Sequence, residues 1–74
     1  MKFGEFRMNC DNACYDLAVY NAVGIKESVS LNLEIAADRA AAMKYDRAMI
    51  SRFRAGVVEM GGETRPLLEV ELYV

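Results

Sequence analysis

The two cysteines are the residues in this chain best suited to chemistry. Cys10 and Cys14 stand four positions apart, and the sequence contains no histidine. A tetrahedral zinc site takes four ligands, so this pair leaves such a site two ligands short unless a second chain contributes. On a helix, two thiols at this spacing would also lie too far apart for an unstrained disulfide. We therefore predict two reduced, partly buried thiols, no metal site and no cofactor.

Groups for acid–base or nucleophilic catalysis are scarce. The lack of histidine removes the commonest general base. Asp11 and Asp16 could form a carboxylate pair, but an Asn/Asp cluster of this kind is more typical of a helix cap. Gly61 and Gly62 open no helix, and no nucleotide-binding or nucleophile-elbow motif occurs. We predict that the chain is not an enzyme and has no catalytic residue.

One set of candidate binding residues is basic. Lys44, Arg47 and Arg54 recur at helical spacing and would form one polar face of a long helix. Phosphate binding needs cations spaced along an exposed face. The charges are few, however, no aromatic residue lies among them, and the net charge of the chain is −2. A solvated outer face is the simpler interpretation, and an acidic protein surface is as good a target as a nucleic acid.

A second set lies near the end of the chain. Glu69, Glu71 and Tyr73 form the polar side of an alternating segment. If this segment lay at a sheet edge, its backbone could pair with a partner strand or with its own copy, and the glutamates would oppose aggregation. An inner strand would show the same pattern, and the sequence leaves the two open.

Residues 36–55 carry the longest helical pattern. They are rich in alanine, and they contain neither glycine nor proline before Gly56, which could close a helix. At about 100° per residue, Tyr45, Met49 and Phe53 share one apolar face. The pattern predicts one amphipathic helix over residues 36–55, against which the rest of the chain packs.

The segments before residue 36 show helical periodicity in one part and strand periodicity in others. Residues 2–8 predict a strand, and residues 13–23, which follow the Asn/Asp cluster, predict a short helix that Gly24 could end. Residues 28–35 alternate strictly between apolar and polar side chains, which favours a strand. A longer helix that begins at one of the serines of this segment stays open as the alternative.

The last third of the chain predicts strands around a turn. Residues 57–60 predict a short strand, and paired glycines at 61–62 favour a turn. Pro66 cannot donate a ladder hydrogen bond, so pairing is expected to begin after it, over residues 67–74. The predicted fold is α+β: a small antiparallel or mixed sheet of three to four strands, packed by one long helix, with a second short helix.

Length and composition set further bounds. Residues 1–74 predict a single domain, near the size at which one core gives marginal stability, so a partner or a homodimer contact could add to it. The chain is 54% hydrophobic and 27% charged, as in ordinary folded domains. No stretch predicts a membrane span or a secretory signal. We predict a cytoplasmic protein that does not bind membranes.

One stretch resembles the opening of small proteins from phages and mobile elements. That opening is an extended F-x-x-N-x-D-N-A-x-[FY], and residues 6–16 read FRMNCDNACYD. Such proteins continue with an isoleucine-alanine-aspartate-arginine helix, which residues 34–39 echo, although the interval between the two is longer here. The resemblance implies an accessory phage-type protein and carries over no catalytic residue. The matching positions are Phe6, Asn9, Asp11, Asn12, Ala13 and Tyr15.

These observations together predict a non-catalytic module that binds a host or phage protein. The expected role is an inhibitor of a host enzyme or of a defence complex such as a CRISPR effector. A nucleic-acid-binding regulator that uses the basic helix face is the first alternative, and a structural subunit assembled through edge strands is the second. The candidate partner-binding residues are Lys44, Arg47, Arg54, Glu69, Glu71 and Tyr73.

Overall fold

The computed structural model describes all 74 residues as an α+β fold with one four-stranded sheet and two short helices. Neither helix is long and apolar enough to cross a membrane. In chain order the elements are α1 (Phe3–Met8), β1 (Cys14–Tyr20), β2 (Lys26–Asn32), α2 (Ala36–Met43), β3 (Met49–Met60) and β4 (Glu63–Tyr73).

The strands lie in the order β2-β1-β4-β3. β1 pairs antiparallel with β2 and parallel with β4, and β3 and β4 form an antiparallel hairpin. The sheet is therefore mixed, with β1 and β4 inside and β2 and β3 at its edges. The hairpin turns at Gly61 and Gly62, whose φ values of 57° and 82° suit glycine.

The core lies on one face of the sheet. Successive side chains of a strand point to opposite faces, so one alternate set from each strand meets the helices. The two helices and the turn before β3 cover this face through Phe3, Phe6, Ala42 and Ala48. The sheet residues of the core are Tyr15, Leu17, Val19, Leu31, Val70 and Leu72.

The predicted first strand, residues 2–8, is wrong, because these residues form α1. Phe3 and Phe6 are three positions apart, so a helix puts both on one face, and both are buried. The N–H of Phe3 donates to the carbonyl of Ala48 at 2.9 Å, which fixes the start of the helix against the turn before β3. A strand over these residues would place the two rings on opposite faces.

The predicted short helix, residues 13–23, is also wrong. β1 occupies the segment, and Tyr15, Leu17 and Val19 alternate into the core. Aromatic and β-branched residues suit a strand, and here they win over the capping signal of the preceding Asn/Asp cluster. With this strand at the centre of the sheet, the polar cluster becomes a loop.

The long helix over residues 36–55 is the largest error. α2 ends at Met43, and β3 begins at Met49. Phe53, assigned to the apolar helix face, lies on β3 and is 57% exposed. Gly56, expected to close the helix, lies inside β3 opposite Leu67. Pairing along the whole length of β4 outweighs the local helix propensity of the alanine-rich run.

Other parts of the prediction are confirmed. Residues 28–35 are largely strand, as β2, and the helix alternative for them is wrong. The predicted strand 57–60 lies within β3, and the predicted strand 67–74 lies within β4 up to Tyr73. Pro66, however, is already paired with Val57. β4 tolerates it because β1 begins to pair only at Leu67, so no neighbour on that side needs the missing N–H.

Candidate protein-binding face

The face of the sheet opposite the helices carries polar side chains from all four strands. We call it the open face, because neither helix covers it. It forms a shallow concave surface with a cavity volume of about 610 Å³. Its side chains are Asp16, Ala18 and Tyr20 on β1, Lys26, Ser28 and Ser30 on β2, Arg52 and Arg54 on β3, and Glu69, Glu71 and Tyr73 on β4.

Two ion pairs cross from β3 to β4 on the open face. Arg52 Nε donates to Glu71 Oε2 at 2.6 Å, and Arg54 Nε donates to Glu69 Oε2 at 2.7 Å. Both pairs join direct neighbours in the strand register. The hydrogen bond from Arg54 lowers the pKa of Glu69 below its usual value. Each arginine is thus matched to a carboxylate, although the arginine side chains themselves are nearly 80% exposed.

Charge is segregated by strand. The acidic side chains lie on the two inner strands, where Asp16 and Glu69 are register partners. The basic side chains lie on the edge strands, with Lys26 on β2 and the arginines on β3. Ser30 Oγ donates to Asp16 Oδ1 at 2.8 Å, which holds this carboxylate toward β2. The open face therefore presents an acidic centre between basic margins.

A pair of tyrosines closes one end of the face. Tyr20 and Tyr73 are register partners at the ends of β1 and β4. Their rings stack with centroids 5.2 Å apart and an interplanar angle of 20°. Tyr73 is 48% exposed. Stacked, half-exposed tyrosines offer a rigid apolar contact with a polar tip, as is common at protein interfaces.

The structure brings four of the six predicted binding residues together. Arg54, Glu69, Glu71 and Tyr73 all lie on the open face. Lys44 and Arg47 do not, because they lie in the turn between α2 and β3.

The prediction that Lys44, Arg47 and Arg54 lie on one face of a helix is therefore wrong. The nucleic-acid alternative depended on that basic helix face, which the structure does not contain. Of the two positions that the sequence leaves open for residues 67–74, the structure shows the inner strand, since β4 pairs on both sides.

Sequence reasoning missed the other half of the site. The sequence pattern predicts Arg52 on the long helix, and Asp16 and Tyr20 on the short helix. The signal was present in the alternation of Arg52 and Arg54 with Phe53 and Ala55, which has the period of a strand. The high alanine content of residues 36–55 favoured a helix and hid this strand period.

The cysteines lie away from the open face's centre and are free thiols: Cys10 is partly buried, as predicted, whereas Cys14 is buried. Cys14 Sγ lies 3.6 Å from Met60 Sδ, a contact between β1 and the end of β3. No cluster of metal-ligating side chains occurs in the structure. The side chains of the open face can hydrogen-bond, pair charges and stack.

Comparison with known proteins identifies no relative: no family model, no curated protein and no solved structure matches the chain.

Proposed function

We propose that this chain is a non-catalytic protein-binding module whose open face contacts the partner. The proposal rests on the difference between the two faces of the sheet. One face of the sheet is packed by both helices, and the other presents charged side chains and a tyrosine pair with nothing over them. The four predicted binding residues on that face are drawn from adjacent strands.

The charge pattern supports a protein partner over a phosphate backbone. A phosphate backbone attracts unpaired cations, whereas Arg52 and Arg54 already bind Glu71 and Glu69. An acidic centre between basic margins complements a partner surface of the opposite charge pattern and fixes the partner's orientation. Tyr20 and Tyr73 add the aromatic contact in which interface energy usually concentrates.

The narrower part of the proposal concerns the kind of partner. The resemblance of residues 6–16 to phage and mobile-element proteins supports a host protein, and a defence complex such as a CRISPR effector is the leading candidate. A domain of 74 residues acts on such a target by occupying a surface the target needs.

A charge-swapped variant tests the face without removing its ion pairs. Arg52→Glu with Glu71→Arg, combined with Arg54→Glu and Glu69→Arg, keeps both cross-strand pairs and reverses the sign of each strand. The matched control is Lys44→Glu with Arg47→Glu in the turn outside the open face. We expect affinity capture to retain the same partner with wild type and control, and to lose it with the swapped variant. A partner retained equally by all three would overturn the assignment of this face.

Inhibition is tested directly on purified CRISPR effector complexes. We expect the wild-type chain at stoichiometric amounts to block target cleavage by the susceptible effector type, and the swapped variant to leave cleavage intact. Absence of inhibition across effector types would reject the anti-CRISPR role and leave the binding face to be judged by the capture experiment.

A further inference from the structure

The outer edge of β3 is the longest unpaired backbone in the fold. β3 is 12 residues long and pairs with β4 on one side only. On its other side, Ile50 N–H donates to Met1 O at 2.9 Å, and Lys2 bridges to Met49. The N-terminal residues thus cover the start of the edge, and no strand follows them from residue 51 onward.

The other edge of the sheet is shorter and already partly blocked. β2 has 7 residues, and the N–H of Asn32 at its end donates to Asp38 Oδ2 at 2.9 Å. Its exposed start carries Lys26 and Glu27, and charges of this kind discourage strand addition. β3 is therefore the edge available for pairing.

The backbone groups that point outward on β3 follow from its register. The backbone N–H of Ile50 points away from β4, toward Met1. The bulge between Ile50 and Arg52 then shifts by one residue which backbone groups face outward. Phe53, Ala55 and Val57 then turn their N–H and C=O groups to the free side. The pairing of Val57 with Pro66 supports this independently, because proline has no N–H and suits a pair that is not hydrogen-bonded.

The side chains along this edge are apolar on one face. Phe53 and Val57 are 57% and 69% exposed, on the same side of the sheet as the helices. Ala55 lies between them and is also exposed. Phe53 rests against Phe6 of α1, with ring centroids 4.9 Å apart, so its position is fixed while its outer side is uncovered.

We propose that β3 pairs antiparallel with β3 of a second copy of this chain, about a two-fold axis at Ala55. In this register Ala55 faces its own copy, and Phe53 faces Val57 on either side. These are hydrogen-bonded pairs built from the outward groups, and each exchanges two N–H···O bonds. The result is one continuous eight-stranded sheet in which the exposed apolar side chains of each copy cover those of the other.

The side-chain pattern selects this register over its neighbours. A shift that centres the axis on Arg54 would place the two Arg54 side chains directly opposite each other, which is unfavourable. A shift that centres it on Gly56 would place Phe53 opposite Glu59. In the proposed register Arg54 faces Gly56, which has no side chain, and its guanidinium is turned toward Glu69 of its own chain.

Sedimentation tests whether the dimer forms. We expect a species of twice the 8.3 kDa chain mass that dissociates on dilution. Ala55→Pro removes the outward N–H at the axis, and Ala55→Lys places like charges opposite each other, so both variants should sediment as monomers. Ser28→Pro makes the matched change on β2, four residues before Asn32, whose N–H also points away from β1, and should remain dimeric. A wild-type chain that stays monomeric at high concentration would overturn the proposal.

Cross-linking tests the register. In a Cys10→Ser, Cys14→Ala background, Ala55→Cys should form a disulfide-linked dimer on mild oxidation, because Cα atoms of a hydrogen-bonded pair lie about 5.5 Å apart, within disulfide reach. Arg54→Cys, one position away, should not cross-link. Preferential cross-linking of Arg54→Cys would reject the register. The dimer leaves the open face accessible, so its loss and the loss of partner capture are separate outcomes.

Discussion

Arg7 of α1 holds Asp46, in the turn before β3, through two parallel hydrogen bonds. Arg7 Nε donates to Asp46 Oδ1 at 2.7 Å, and Arg7 Nη2 donates to Asp46 Oδ2 at 2.9 Å. Both side chains are partly buried, and the pair joins residues 39 positions apart. Two backbone bonds run beside it, from Phe3 N–H to Ala48 O and from Gly4 N–H to Asp46 O. This cluster fixes the N-terminal helix to the sheet.

Removal of the ion pair should loosen α1. A bidentate, partly buried pair is stronger than an exposed one, so we expect a coupling energy of about 1–2 kcal/mol between Arg7→Ala and Asp46→Ala in a double-mutant cycle. Arg7→Lys should recover only part of the stability, since an ammonium group cannot make both bonds. Urea unfolding of the four cycle members measures the coupling. Additive effects would show that the backbone bonds alone hold the helix.

Gly4 should tolerate no side chain. A Cβ at this position would lie 2.9 Å from Asp46 Cβ and 3.0 Å from its Cγ and carbonyl oxygen. Arg7 restrains Asp46, so the overpacking cost of about 1–3 kcal/mol should exceed the helix-propensity gain of Gly4→Ala. We expect a lower free energy of unfolding.

Gly56→Ala is the matched control for this substitution. Its Cβ would meet Glu69 Oε2 at 3.6 Å, an ordinary contact, and alanine loses less conformational entropy than glycine inside a strand. The free energy of unfolding should therefore stay equal or rise by up to about 1 kcal/mol. Equal effects of the two substitutions on urea unfolding would contradict the close approach of Gly4 to Asp46.

The fold class and the two alternating segments were accessible from the sequence because period-two patterning is local. Residues 28–35 and 68–74 each show it without interruption. The end of α2 at Met43 was not accessible, because alanine, methionine and arginine favour a helix locally. Only the pairing of β3 with β4, which joins Met49 to Tyr73, makes the strand the better choice.

The candidate site was half predicted for the same reason. Glu69, Glu71 and Tyr73 lie on a strand whose period was correctly interpreted. Arg54 was among the predicted binding residues only because of an incorrect helix prediction. Arg52 was not among them, because that helix placed it on another face. The register partner of each arginine is fixed by the hairpin turn at 61–62, from which the pairing runs without interruption to Arg52. The bulge between Ile50 and Arg52 shifts only the residues before it, and side-chain pattern alone does not locate a bulge.

The pKa of Glu69 should depend on Arg54. The hydrogen bond from Arg54 lowers this pKa, so any stability that the pair adds is present above the usual carboxyl range and is lost as pH falls through the folded-state pKa. Arg54→Gln should raise the Glu69 pKa toward its ordinary value, and Lys44→Gln, in the turn outside the open face, should not. A carboxyl NMR titration measures both, and an unchanged Glu69 in Arg54→Gln would show that the pair is not formed in solution.

Alkaline stability should be controlled by Tyr15. Its ring is fully buried against Phe3, its hydroxyl has no hydrogen-bond partner, and burial raises its pKa to about 12. An unfolded tyrosine titrates near pH 10, so this contribution is complete below about pH 10 and is lost as pH rises toward about 12. Tyr15→Phe removes an unpartnered hydroxyl and should leave neutral-pH stability equal or higher by up to about 1 kcal/mol, with a weaker alkaline decline. Urea unfolding between about pH 8 and pH 12 measures this decline in the free energy of unfolding, and Tyr20→Phe on the open face is the control. An alkaline decline that Tyr15→Phe leaves unchanged would show that another group drives the transition.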